Sequence, residues 1–425
     1  MGRGFIVEDA VEGYLSNLCE QPTSPTTGLL IGQNSAQRDF VVMATRTPQS
    51  QESGKDLVDK EWMCEHARQV SRMLPGGLSV VGVFIITDSN VSDILNPLQQ
   101  TVCGLDKTIS SEHLWVPTDD EVVEYVILHI NPRTKTTTCR TFNVRDLKSP
   151  WKSADWKYQS SVCSAWTTVS CCLNVDIMLP LPDRRAGVES MEACLKEGLQ
   201  VWARQIQEGF CLFNGKRIPE DVELTSGQKR NVRQTVNAQL IIPLENQRLS
   251  NLVQQCGGSV SVRGAVHSRV FLQGGKPKSK LAEKLLKRDV VSTMATRVFM
   301  MVEDLLTSEG ARTDKQEDFN LPHRIFCPMN TTWPVCACVY QFTDEGPADL
   351  IERLKEMLDI DVTVNDLDTT QEIPAEIGGK SVPTGRTHEV APGYVCYFYQ
   401  FFFFITLVIQ DSNSDECLHP QVQFN

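Results

Sequence analysis

Hydrophobic and polar positions follow two periods along this chain. The clearest block is Leu78–Thr87, LSVVGVFIIT, an apolar and largely β-branched run. A Pro75-Gly76-Gly77 turn precedes it, and Asp88, Ser89 and Asn90 follow it. That pattern predicts a fully buried strand. Upstream, Asp59–Leu74 reads as an amphipathic helix, with Trp62, Cys64, His66, Val70, Met73 and Leu74 among its less polar positions. Phe5–Val7 predicts a short strand and Glu8–Leu18 a helix. Gly28–Gly32 and Asp39–Thr45 predict a hairpin across Gln33–Arg38. Val91–Val102 predicts a partial helix that Pro97 starts, ends or kinks. Glu121–Ile130 and Thr136–Val144 predict a second hairpin. Strand, helix, hairpin, helix, strand, helix, hairpin is the order of an α/β module over residues 1–150.

A second, α+β module is expected over residues 151–358. Ser161–Pro180 is β-rich, and Gly187–Phe210 carries Met191, Cys194, Leu195, Leu199, Trp202 and Ile206 at helical spacing. Ala238–Leu244 and Ser259–Leu272 predict strands, and Ser279–Leu306 a long helix. Thr307–Asn320 reads as an acidic linker, then Pro334–Phe342 as a strand and Pro347–Leu358 as a helix. Residues 359–389 are polar and read as a disordered linker. Val390–Ile409 then runs twenty residues without a charge, the length a helix needs to cross a bilayer. Its aromatic and β-branched content is equally that of a buried strand. As an anchor, with Lys380 and Arg386 before it and Asp411, Asp415 and Glu416 after it, it would leave the bulk of the chain in the cytosol.

Composition narrows the partners. The 425 residues carry a formal net charge of −12, which argues against a nucleic-acid partner, because phosphate binding needs a basic face. Fifteen cysteines lack regular spacing. Met1–Asp9 is too short and too polar for a secretory signal, so the thiols are expected to be reduced in a cytosolic compartment.

The signatures of hydrolytic chemistry are missing. No two of the seven histidines lie within four residues of each other, so neither H-x-H nor H-E-x-x-H occurs. Cys336 and Cys338 share a strand face while Cys171 and Cys172 point apart, and neither pair has C-x-x-C spacing. Both pairs are expected to be small apolar core residues. No cysteine stands in a nucleophile context, and Cys256-Gly257-Gly258-Ser259 lacks the Lys-Ser/Thr that closes a phosphate loop. Lys276, Lys278 and Lys280 form a basic loop that is either solvated or touches an acidic partner. No catalytic, cofactor-binding or metal-ligating residue is therefore assigned.

Two resemblances add to this reading. GLLIG at Gly28–Gly32 and VVGVFIIT at Val80–Thr87 resemble an MPN domain, the fold of the JAMM-type metalloproteases. In catalytic members an H-x-H pair binds zinc, with a Ser and an Asp further along. Laid on that pattern, the histidine positions fall on Ile85 and Thr87, and the Ser and Asp positions on Leu95 and Leu98. The resemblance implies a catalytically dead module. Over roughly residues 1–375 the chain resembles the family of odorant response abnormal protein four. The residues that carry it are GRGFIVEDAVEGYLSNL at Gly2–Leu18, GLLIGQNSAQRDFVVMATRTP at Gly28–Pro48 and PVCACVYQFTDEGPADLIERLKEMLD at Pro334–Asp359. That family implies a non-enzymatic adaptor or chaperone at the endoplasmic-reticulum membrane, with G-protein-coupled receptors as clients. It also implies a partner, the cysteine protease that processes the ubiquitin-fold modifier. A soluble scaffold subunit of a cytosolic complex and a thiol or metal hydrolase are the alternatives.

Overall fold

The computed structural model describes residues 3–21, 25–35, 38–49, 58–118, 124–146, 148–181, 188–225, 233–243, 258–273, 276–307, 317–319, 321–330, 333–372 and 404–409. The chain opens with β1 (Gly4–Glu8) and α1 (Asp9–Glu20), then β2 (Thr26–Gln33) and β3 (Asp39–Arg46). Next come α2 (Lys60–Arg72), β4 (Ser79–Ile86), α3 (Val91–Ser111), β5 (Glu124–Asn131) and β6 (Thr136–Asn143). These follow the expected order. Asp59 caps α2 by accepting from the Trp62 N–H at 3.0 Å. Helix α3 runs through Pro97 to Ser111, further than the sequence predicts. Its buried stripe of Ile94, Leu98, Val102 and Leu105 outweighs the one backbone bond that proline removes.

After β6 come β7 (Lys152–Ser153) and β8 (Asp155–Gln159). Both belong to the first sheet, whose order is β7-β6-β5-β4-β2-β3-β1-β8. Strand β8 pairs parallel to β1, from Gly4 opposite Asp155 to Glu8 opposite Gln159. The expected division after residue 150 thus falls between two paired strands of one sheet. The second sheet contains β9 (Thr167–Leu181), β10 (Phe210–Phe213), β11 (Thr235–Ile241), β12 (Gly258–Leu272), β13 (Glu317–Phe319) and β16 (Phe404–Ile409), in the order β10-β11-β9-β12-β16-β13. Helices α4 (Val188–Glu208) and α5 (Ser279–Thr307) pack on it, with Leu199, Ile206, Leu286, Val290 and Met294 in a common core. The hairpin of β14 (His323–Pro328) and β15 (Cys336–Gln341), with α6 (Pro347–Leu358), packs elsewhere. Ile325, Val339, Leu350, Leu354 and Leu358 join the core that α2 and α3 form with the first sheet. The stretch 151–358 therefore contributes to two cores.

Two expectations are corrected. Residues 359–372, read as disordered, are ordered: a 3-10 turn spans Val364–Asp366, and the Glu372 carboxylate is buried. Buried hydrogen bonds hold this strap, a cause that composition does not display. Residues 373–389 lie outside the described residues. The candidate transmembrane helix over 390–409 is a strand where it is described. Phe404–Ile409 pairs antiparallel with β12, from Arg263 opposite Phe404 to Gly258 opposite Ile409. Its β-branched residues suit a ladder, and β12 and β13 offer backbone partners on both sides. Residues 390–403 lie outside the described residues. Among the described residues no helix is long and apolar enough to cross a membrane.

The turn before β4 joins the two sheets. Gly77 has φ +87°, and a Cβ there would stand 2.1 Å from the Phe271 carbonyl oxygen of β12. Phe271 donates its N–H to Gly76 O at 2.9 Å, and the buried Gln33 amide donates to Gly77 O at 2.7 Å and Phe271 O at 2.8 Å. Within β4, a Cβ on Gly82 would lie 2.1 Å from Val126 O and 2.3 Å from Val126 Cγ1. Gly82→Leu is therefore expected to destabilise the chain by about 1–3 kcal/mol or more through overpacking. Urea unfolding of the full chain measures this, and an unchanged midpoint contradicts the close strand approach.

Candidate functional site

The sequence points to the end of β4 as the place to look for chemistry. Ile85 lies on β4 with no exposure, and Leu98 on α3 likewise, both in the core between the first sheet and its helices. Leu95 is half-buried on α3. Thr87 is 2% exposed, and its hydroxyl serves local structure: it accepts from Ser89 N at 3.3 Å and donates to Ser89 Oγ at 3.2 Å. Ile85 and Leu98 share that core, whereas Thr87 follows the end of β4. Two aliphatic core side chains, a half-buried leucine and a turn hydroxyl supply no metal ligand set.

The structure adds a neighbour that sequence spacing does not reveal. His129 on β5 lies one strand over, with Nε2 3.2 Å from the Thr87 carbonyl oxygen. Parallel pairing of β4 and β5, with Ile85 opposite His129, carries it there. Burial lowers its pKa, so the imidazole is a neutral hydrogen-bonding group. Among the described residues no group of three or more His, Cys, Asp or Glu is placed to hold a metal ion.

The thiols are equally placed for packing. Cys171, Cys211, Cys327, Cys336 and Cys338 are buried, and Cys172 faces out, as strand alternation requires. Burial pushes the Cys171 thiol up to about 11, and those of Cys139, Cys211, Cys327 and Cys336 up to about 12. A thiol at that value carries almost no thiolate at neutral pH. The basic loop is occupied by the chain's own acids: Lys276 pairs with Glu223 at 2.6 Å, Lys278 with Asp221 at 3.2 Å and Lys280 with Glu220 at 3.2 Å.

Residues 28–369 match the family model described as "Odorant response abnormal 4-like". The chain belongs to that ODR4-like family. It is 40% identical over 395 residues to the "Protein odr-4 homolog" of Homo sapiens, covering 88% of this chain and 86% of that one. It is also 23% identical over 353 residues to "Odorant response abnormal protein 4" of Caenorhabditis elegans, covering 80% of this chain and 72% of that one. Among solved structures, the UfSP of Caenorhabditis elegans aligns at 10% identity and a TM-score of 0.41, over 85% of this chain and 57% of that one.

In this ODR4-like chain a buried histidine fastens α6 to the first module. His66 of α2 lies 2.8 Å from the Met357 carbonyl oxygen through Nε2 and 3.3 Å from Thr47 Oγ1 through Nδ1. Burial holds its pKa at about 4, against the bond to Met357 that pulls it up. A folded value below the unfolded one favours the neutral folded form, so the unfolded chain takes up the proton first as pH falls. This contribution is present above about pH 6.5, is lost between about 6.5 and 4, and is constant below that. Burial lowers His267 and His323 as well, which acts in the same direction. Unfolding free energy should therefore fall on acidification through this window, and His66→Leu should remove up to about 3 kcal/mol of the fall. Denaturant titrations at several pH values test this, and an identical pH slope in the variant excludes His66 as the source.

In the native chain at neutral pH, Cys139, Cys211, Cys327 and Cys336 should react with iodoacetamide far more slowly than the outward-facing Cys172. Mass spectrometry of the alkylated peptides measures this. Rapid labelling of any of the four would show an activated or exposed thiol where the packing places an inert one.

Proposed function

We propose that this protein is a non-enzymatic adaptor or chaperone that promotes folding or trafficking of a subset of G-protein-coupled receptors at the endoplasmic reticulum, with an MPN-like, catalytically dead first module. It also holds the ubiquitin-fold-modifier-specific cysteine protease there. The observation that carries this reading is the family match over residues 28–369, with relatives named for odorant response. The packing of Ile85 and Leu98 into the core supports the absence of catalysis. The protease partner, the receptor clients and the reticulum location rest on the family resemblance, and the experiment addresses each. Cells lacking the protein should show reduced surface levels of client receptors, restored by the full chain. A pull-down from detergent extract should recover the protease. Unchanged receptor levels together with no recovered protease would refute the proposal. Cleavage of modifier-linked substrates by the purified chain would refute its non-enzymatic part.

One observation favours a second reading, a scaffold subunit of a cytosolic complex. Phe404–Ile409 pairs within the second sheet rather than continuing a helix. Carbonate extraction discriminates: a chain released from membranes by the wash fits the scaffold, and one retained fits an integral anchor.

A further inference from the structure

Helix α6 has two apolar stripes, and only one is fully buried. Leu350, Leu354 and Leu358 recur at helical spacing and are buried. Ala348 and Ile351 lie on another face, where Ile360 and Val362 of the following strap come alongside. Together they floor an open groove of about 650 Å³. Ile351, Ile360 and Val362 pack partly on the first core and remain half-exposed. At 12 residues, α6 is about 18 Å long, so the groove has the length of a short helix.

The charges along this groove are unevenly satisfied. Lys355 is held by Asp359 at 2.9 Å and Asp361 at 3.0 Å. Asp359 is also bonded by Tyr14 at 2.8 Å and Arg46 at 3.2 Å. Glu352 and Glu356, exposed and one turn apart, form no ion pair among the described residues. Like charges at that spacing repel by a few tenths of a kcal/mol, so the isolated helix gains nothing from them. An apolar floor rimmed by uncompensated carboxylates matches a segment with leucine-like side chains on one face and lysine or arginine on the other.

We propose that the groove beside α6 binds a basic amphipathic helix of another protein, with Ile351, Ile360 and Val362 taking its apolar face and Glu352 and Glu356 its cations. This goes beyond the trafficking reading, because it depends on the groove alone. It commits to an amphipathic helix rather than an extended strand, because the groove's lining residues lie on α6 and the strap that follows it.

The test uses the purified full chain and a fluorescein-labelled peptide helix about four turns long, leucine on one face and lysine on the other. Fluorescence anisotropy should show saturable binding that weakens with salt. The joint change Glu352→Gln and Glu356→Gln should weaken it at least about tenfold. Ile351→Ser should weaken it comparably without changing net charge. Glu12→Gln with Glu61→Gln, two exposed carboxylates elsewhere on the surface, should leave it unchanged. Urea unfolding of each variant ensures that lost binding is not lost folding. No saturable binding by the unmodified chain overturns the proposal. So does equal weakening by the distant pair, which would mean diffuse attraction to an acidic protein. A dimer in sedimentation that the groove substitutions dissolve would assign the surface to a second copy and overturn it too.

Discussion

The arrangement of the whole chain depends on two buried ion pairs where the second sheet meets the β14–β15 hairpin. The Arg324 guanidinium is 1% exposed and reaches Asp289 of α5 through both terminal nitrogens, at 3.0 and 3.1 Å. Asp289 also accepts from Ser268 Oγ on β12 at 2.6 Å. Arg297, one helical stretch further along α5, is fully buried against Glu372. The other bonds of Glu372 come from the chain: it accepts from Arg324 N at 2.8 Å and His267 N at 2.7 Å. Two cations and two anions without solvent are tolerable only when each is paired and hydrogen-bonded. Removing one carboxylate leaves a buried guanidinium and costs about 3–5 kcal/mol. Apolar contacts stabilise each core, but they accept many orientations. These pairs accept one, and they fix the strap, the hairpin and α5 together.

A second cluster performs the same service between the helical layers. Arg68 and Arg72 of α2 converge on Glu303 of α5 and on Glu112 just past α3, with contacts of 2.6 to 3.1 Å. Burial alone would raise the Glu303 carboxyl, but hydrogen bonds from Arg72 and Arg68 outweigh it and hold the pKa at about 2. The cluster is wetter than the Arg324 site, since Glu303 is 43% exposed, so it contributes less per contact and is more sensitive to salt. With the Gly76–Gly77 turn against Phe271, the two modules are joined at three chemically different places.

The legible part of the sequence was local. Apolar runs, glycine turns and helical periodicity located most of β1 to β6 and α1 to α6, because those signals depend on neighbours in the chain. The β8 strand was missed, although Trp156 and Tyr158 alternate with Asp155, Lys157 and Gln159. Its period of two was readable, but its pairing with β1 lies about 150 residues away in the chain. The β14 strand was missed as well: Ile325, Phe326 and Cys327 are an apolar run closed by Pro328. Glu372 shows the harder limit. A lone glutamate in a polar stretch looks solvated, and only the buried Arg297 and Arg324 make it structural. The candidate site was legible in a different way. Ile85 and Thr87 follow from motif alignment, whereas His129 reaches Thr87 only through the strand order of the folded sheet.

The distribution of charge separates two uses of the polar side chains in this cysteine-rich chain. Its buried thiols are pushed towards the neutral form, and its buried imidazoles are held neutral as well. Neutral groups of this kind cost little to bury once hydrogen-bonded, so they fill cores as polarisable, modest-sized side chains. The buried formal charge described above is carried by arginine and carboxylate, at joints between elements. A nucleophile or a metal site needs the reverse assignment, with thiolate or imidazole poised near neutral pH in a cleft. In the described cores the buried thiols and imidazoles are kept neutral, and the buried ionised groups serve as fasteners.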